Sequence, residues 1–216
     1  MTELRILPAG DRALLIELPD HLAPAGFGQH LHDHPVEGVG DLLPAARTVL
    51  VTLAPGATAA TVEDGLRAAA DAVATESSET PSASDTVMIP VRYDGDDLAE
   101  TAELLGMTET ELIARHTGCV WRCAFVGFAP GFGYLEAPDA GLAVPRRDRS
   151  RTAIPAGAVA LAGGYSAVYP RKSPGGWRII GRTETTLWDL DRPEPALLRP
   201  GTRVRFVRTD LDGRRR

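Results

Sequence analysis

The chain changes texture at Val120, and that change restricts its fold more than any other feature. Beyond it, apolar runs are short and are broken repeatedly by glycine and proline: Cys123–Phe128, Ala158–Ala162, Ala167–Tyr169, Arg178–Ile180, Thr186–Asp189 and Arg203–Val207. Runs this brief show almost no helical periodicity but suit strands, whose ends the glycines and prolines mark. Many short strands joined by tight turns bury their apolar sides by closing on themselves or by packing face to face. A β-barrel or sandwich-like C-terminal part is therefore expected.

The N-terminal part reads differently. Ala13–Leu18, after the Gly10-Asp11 turn, and Thr48–Leu53, bounded by Pro55-Gly56, read as buried strands, with a short helix at Ala25–His32. From Thr61 to Ala74 the residues Val62, Leu66, Ala69, Ala70 and Val73 fall at helical spacing. Thr61 is expected to cap that helix, with Glu63 and Asp64 complementing the positive end of its dipole. Residues 75–86 are almost wholly polar around Pro81, a linker composition. The expected architecture is α+β: a small N-terminal α/β sandwich-like domain at 1–80, a connection at 81–86 and a β-barrel domain at 87–210. The second domain opens with a strand at Val87–Val91 and a helix at Asp97–Leu105 that Gly106 ends. Thr108 and Glu111 then form a capping box for a further helix reaching about Gly118.

Composition narrows the function. The net charge of −6 argues against a general affinity for nucleic acid or anionic membranes. The Arg214–Arg216 tail reads as a solvated end. Met1 to Leu18 carries polar residues throughout, so no signal peptide is expected, and no apolar run is long enough for a membrane span. Cys119 and Cys123 are the only cysteines, which fits a reducing cytosol, and the expected location is cytoplasmic. His30-Leu31-His32-Asp33-His34 looks like a metal cluster but lacks an evident fourth ligand, so no metal is assigned. The chain has no G-x-x-x-x-G-K-[ST] phosphate loop, no G-x-G-x-x-G after a strand and no G-x-S-x-G elbow. A self-contained nucleotide or serine hydrolase is not expected on that ground.

Glycine and proline concentrate in three loops: Gly127–Leu135, Ile154–Gly157 and Tyr169–Trp177. Glycines let the backbone approach a ligand, and successive amides in such turns form concavities suited to phosphate or carboxylate. Arg146, Arg147 and Arg151 lie between the first two loops, Arg171 and Lys172 within the third, and Arg182 follows. Each loop alone reads equally as a tight turn with solvated arginines; the three together, with aromatic neighbours, point to an anion site. His116, ending a helix, is either a general acid–base or a helix C-cap donor.

At these loops the sequence resembles the B-subunit family of bacterial 5-oxoprolinases, also called allophanate hydrolase subunit 1 or kinase-A inhibitor. The resemblance is carried by His116-Thr117, Gly127–Leu135, Val144–Arg147, Ile154–Gly157, Tyr169-Pro170 through Ser173–Trp177, and Arg178–Thr183. It extends to Gly10–Leu15 and Pro44–Thr48, hence across nearly the whole chain. It implies a cyclophilin-like C-terminal barrel and kinship with the carboxyltransferase part of urea carboxylase. It also implies a sister carboxyltransferase-type partner (the 5-oxoprolinase C-subunit, or allophanate hydrolase subunit 2) and a lactam-utilisation subunit. The activity implied is ATP-dependent hydrolysis of the lactam 5-oxoproline to glutamate, with ATP in the assembled complex and no turnover without the partners. The sequence departs from the family pattern at Ala158, where serine is common, and at Ser166-Ala167-Val168, in place of Thr-Gly-Ile.

On that reading His116 shuttles a proton, and Arg182 and Lys172 hold a carboxylate or phosphoryl group. That group would lie against Pro130, Gly131, Phe132 and Tyr134 on one side and Ser173, Pro174, Gly175 and Gly176 on the other. Two rivals remain: an inhibitor of a sporulation-type sensor histidine kinase, and half of a carboxyltransferase site serving a biotin carrier on another protein.

Overall fold

A computed structural model gives the structure of residues 4–19, 24–75 and 86–209. The chain divides into two compact units, Met1–Ser82 and Ala83–Arg216. Of the expected connection at 81–86 only Thr86 is described, and the Arg214–Arg216 tail lies outside the described residues. Among the described residues no helix is long and apolar enough to cross a membrane.

The first unit contains β1 (Arg5–Pro8), β2 (Ala13–Glu17), α1 (Pro24–Asp33), β3 (Val39–Pro44), β4 (Thr48–Leu53) and α2 (Ala59–Thr75). Its strands form one antiparallel sheet in the order β1-β2-β4-β3. The two-residue period of β2 and β4 turns Leu14, Ile16, Val49, Val51 and Leu53 to one face. That face packs against Phe27 and Leu31 of α1 and Val62, Leu66, Ala69 and Ala70 of α2. Each large side chain so buried contributes about 1.5–3 kcal/mol of transfer free energy. The expected cap at Thr61 is displaced: α2 begins two residues earlier. The Thr61 hydroxyl sits inside the first turn, donating to Thr58 O at 2.8 Å and accepting from Thr58 N at 3.3 Å.

The second unit contains β5 (Thr86–Val91), α3 (Leu98–Leu104), α4 (Glu109–Gly118), β6 (Trp121–Val126), β7 (Gly133–Glu136), β8 (Arg151–Ile154) and β9 (Ala158–Ala162). It continues with β10 (Tyr165–Val168), β11 (Ser173–Gly175), β12 (Arg178–Arg182) and β13 (Arg203–Arg208). The Thr108–Glu111 capping box at the head of α4 forms with both of its hydrogen bonds. Seven strands make one sheet in the order β12-β9-β10-β7-β6-β13-β5, and β8 pairs with β11 separately. The edges of the large sheet meet. Arg92, just past β5, exchanges backbone hydrogen bonds of 2.9 and 2.8 Å with Arg182 of β12, leaving a nearly closed barrel. Gly181 permits that approach, since a Cβ there would lie 2.5 Å from Arg92 O.

The barrel interior holds Ile89, Val91, Trp121, Leu135, Val159, Leu161, Val168, Ile180, Val204 and Phe206, with Leu112 and Ile113 of α4 packed into it. Strand β9 is buried on both faces. Val159 and Leu161 join the interior, whereas Ala158, Ala160 and Ala162 face a second cluster with Phe132, Tyr169 and Trp177. Small alanines leave room there for rings. Strand β11 and most of β7 fall in stretches expected to be loops, and Arg151–Ala153 of β8 carries no strand expectation, because these short segments show no apolar alternation. Conversely, the strand expected at Thr186–Asp189 is irregular, with one isolated bridge, Trp188 to Ala196.

Candidate functional site

The three glycine–proline loops meet on the outer face of the barrel. In the first, Ala129 N–H donates to Gly127 O at 2.7 Å, Phe132 N–H to Ala129 O at 3.0 Å and Gly127 N–H to Phe132 O at 3.2 Å. In the second, Gly157 N–H reaches Tyr169 O at 2.8 Å, and in the third Ser173 pairs with Ile154. Their rings pack edge to face: Phe132 lies 5.2 Å from Tyr169 and 5.6 Å from Trp177, and Tyr134 5.6 Å from Trp177. Phe125 stacks on Tyr134 at 4.2 Å, and Tyr165 closes the row. The result is one continuous aromatic wall.

Phe128 stands at its rim. Among the described residues it is the non-glycine residue with positive φ, +66°, and it is 57% exposed while its ring contacts Phe132 and Tyr169. A bulky side chain held in the left-handed region stores about 1–3 kcal/mol, a strain that concentrates at functional sites. The phenols beside it stay protonated. Burial pushes Tyr169 up to about 12, against the opposing charge of Arg146 and a hydrogen bond from Trp177 N–H, and burial also raises Tyr134 and Tyr165.

The arginines divide into two sets. Arg147 and Arg151 both grip Asp97, which is 1% exposed. Arg151 does so with two bonds of 2.8 Å, and Ile179 N–H adds a third donor at 2.7 Å. Burial alone would raise the Asp97 carboxyl; these donors and charges outweigh it and hold it below the usual carboxylate range. Arg178 pairs with Glu100 at 2.9 Å and donates Nε to Pro145 O at 2.9 Å. These three cations fasten loops together and are not available to a ligand. Arg146, Arg171 and Lys172 are exposed and, among the described residues, form no ion pair.

The expected site residues separate accordingly. Gly131, Phe132 and Tyr134 belong to the wall and its turn, with Pro130 exposed beside them. Ser173, Pro174 and Gly175 form β11 on β8, so this stretch is strand rather than an open nest of amides. Ser173 Oγ turns inward to Arg171 O at 3.1 Å. Gly175 and Gly176 serve packing, since a Cβ would meet the Tyr169 hydroxyl at 2.5 Å and Ser150 Oγ at 2.9 Å respectively. Arg182 lies at the barrel seam with Asp94, which accepts from it at 2.5 and 3.0 Å and also pairs with Arg92 at 2.7 Å.

His116 lies on the other side of the sheet, inside the barrel and fully buried. Its Nδ1 bonds Tyr93 Oη at 2.7 Å, its Nε2 bonds Ser166 Oγ at 2.9 Å, and its ring stacks on Phe206 at 4.3 Å. Burial pushes its pKa down to about 3, so the ring is neutral and both nitrogens are committed. That environment suits neither a proton shuttle nor a C-cap donor. Ser166, one of the departures from the family pattern, supplies the hydroxyl. His30 and His32 lie on α1, with His30 stacked on His34 at 4.6 Å, and no metal-binding group occurs among the described residues.

Tyr169, Phe128 and Arg146 are members of this face to which the sequence assigns no role of their own. A signal is present, in the aromatic residues at each loop end, but only the fold tells which rings share a wall.

The profile of the carboxyltransferase domain, subdomain C and D, matches residues 4–198. The chain belongs to this family. Three relatives, each named as the B-subunit of 5-oxoprolinase, are 37–44% identical over about 56% of the chain. The one from Escherichia coli is 44% identical over 124 residues, and the one from Bacillus subtilis 42% over 125 residues. The match spans only a little over half of these relatives, 57% and 52% of their lengths. Among solved structures, a conserved uncharacterized protein of Pyrococcus horikoshii is 32% identical with a TM-score of 0.58, covering 96% of this chain and 99% of that one. The Kluyveromyces lactis urea carboxylase shares the fold at 17% identity, with a TM-score of 0.75 over 97% of this chain and 22% of that one.

Proposed function

We propose that this chain is the B-type component of an ATP-dependent 5-oxoprolinase, opening the lactam of 5-oxoproline to glutamate together with a sister barrel subunit and a lactam-utilisation subunit. The observation that carries the reading is the meeting of three loops in one aromatic wall with protonated phenols and free cations at its edge. Such a wall accepts a flat ring, and the cations accept its carboxylate. The names of the relatives supply the reaction. The cyclophilin-like class of the barrel belongs to the same proposal.

An unstrained lactam is a poor electrophile, and ATP supplies the phosphoryl group that activates its oxygen. The exposed Arg171 and Lys172 and the Gly131 turn are the donors proposed to hold one anionic group. This chain's part is therefore to bind and orient the lactam, keep a hydroxyl protonated beside it and hold its charge. Of the expected residues, Gly131, Phe132, Tyr134 and Lys172 stay in the site. Arg182 stays only as a seam residue, and His116 as a core residue.

The test is reconstitution. The chain co-purified with its partner subunits is expected to release glutamate from 5-oxoproline only with ATP. An inactive full complex, alongside inhibition of a sensor histidine kinase by the chain alone, would move the reading to an interaction protein.

A further inference from the structure

Arg146 sits between two fixed points. Pro145 before it accepts from Arg178 Nε at 2.9 Å, and Arg147 after it donates its N–H to Gly176 O at 2.8 Å and its guanidinium to Asp97. The backbone at 146 is thus pinned on both sides. Its own side chain is exposed and, among the described residues, without an ion-pair partner. The bonds at Pro145 and Arg147 set residue 146 beside Gly176 and Trp177, and Trp177 packs 5.6 Å from Tyr134, so the Arg146 charge falls on the side of the Tyr134 and Tyr169 hydroxyls. A held cation and two phenols therefore gather at one edge of the aromatic wall, next to the strained, exposed Phe128.

The division of labour among neighbouring arginines sharpens this. Arg147, Arg151 and Arg178 are neutralised by Asp97 and Glu100 within the fold, so they rigidify the segment without competing for an external anion. Arg146 keeps its five-donor fork for something that is not in the chain, and a planar guanidinium matches a carboxylate better than any other small anion-bearing group except phosphate.

Resting on the reading above, we propose that Arg146 is the carboxylate anchor of the site and Tyr134 the hydroxyl that donates to the carbonyl oxygen of the bound lactam. The substrate class is then small, flat, cyclic amides that carry a carboxylate on the ring, lying against Phe128. Because Tyr169 is only 2% exposed, it sets the floor of the site and leaves the contact to the half-buried Tyr134.

The chain alone, and the chain in complex with its partner subunits, are titrated with 5-oxoproline, with 2-pyrrolidinone (the same ring without the carboxylate) and with inorganic phosphate, following tryptophan fluorescence. Arg146→Gln is expected to weaken 5-oxoproline about ten- to a hundredfold, the effect of losing one charge-assisted bidentate contact, and to leave 2-pyrrolidinone unchanged. Arg146→Lys should recover part of the loss, and Tyr134→Phe should weaken both lactams. Wild-type affinity for 5-oxoproline in Arg146→Gln, or no carboxylate-dependent binding in either sample, overturns the assignment; so does loss of phosphate binding alone. The two readings fail separately. Turnover with an unchanged KM in Arg146→Gln removes the anchor and leaves the reaction, whereas Arg146-dependent binding in a complex that releases no glutamate removes the reaction and leaves the anchor.

Discussion

Arg151 holds Asp97 with both arms of its guanidinium, two bonds of 2.8 Å between residues 54 positions apart. Asp97 heads α3 and Arg151 opens β8, so this one contact ties a helix at the barrel seam to the small sheet behind the aromatic wall. Asp97→Ala leaves Arg147 and Arg151 facing an apolar gap, and removing one partner of a buried pair costs about 3–5 kcal/mol. The carboxyl's folded pKa is lowered, so its stabilisation is complete above the unfolded value of about 3.9 and is lost as pH falls through the folded value. Urea unfolding of Asp97→Asn should therefore show a lower midpoint at pH 7 and a shallower acid limb below about pH 4. An unchanged acid limb would mean that Asp97 is not the group responsible.

His116 loses stability in the same acid direction, from a different cause and over a higher pH window. Its folded pKa is pushed down to about 3 by burial from the ordinary value of 6.5, so below that upper value the unfolded chain binds a proton the native state refuses. Stability is full above the unfolded pKa and falls as pH drops, at up to about 1.4 kcal/mol per pH unit, until the folded pKa is reached. Imidazole nitrogen shifts should report a neutral ring at pH 5. A ring titrating near 6.5 in the folded protein would contradict the burial, and would restore His116 as a proton carrier.

Phe128 separates strain from contact. Phe128→Gly relieves the positive φ but gives up the ring, whereas Phe128→Ala gives up the ring and keeps a Cβ in the left-handed region. The glycine variant is expected to be about 1 kcal/mol more stable than the alanine variant in chemical denaturation, and both should lose ligand affinity in the assembled protein. An alanine variant as stable as the glycine one would show that the turn relaxes and stores nothing.

What can be read in advance follows how local each determinant is. The Thr108–Glu111 box, the helical stripe from Val62 to Ala70 and the apolar strand Thr48–Leu53 involve neighbours in the chain, and all three appear as expected. The convergence of loops rich in glycine, proline and basic residues is legible too. Which cations stay free is not, because nothing near Arg147 or Arg151 in sequence reveals that both meet Asp97 across 50 and 54 residues. His116 reads as a helix end because its burial depends on Phe206 and Ser166, 90 and 50 residues away. Strands β8 and β11 escape notice because Arg151–Ile154 and Ser173–Gly175 have no alternation to recognise; they exist by covering the wall.

The wall itself can be tested through Gly175. A Cβ there would lie 2.5 Å from the Tyr169 hydroxyl and 3.0 Å from Ile154 Cδ1, so something must move. Tyr169 cannot swing aside freely: it is 2% exposed and packed 5.2 Å from Phe132 and 6.2 Å from Phe128. Gly175→Ala is therefore expected to destabilise by about 1–3 kcal/mol, the usual range for forcing extra volume into a packed site. Tyr169→Phe removes the oxygen that the new methyl strikes. The double variant should therefore lose less than the two single losses added together. A coupling near zero in that cycle, measured by urea unfolding, would mean that the two residues do not meet as described, and would take with it the aromatic floor on which the proposed site rests.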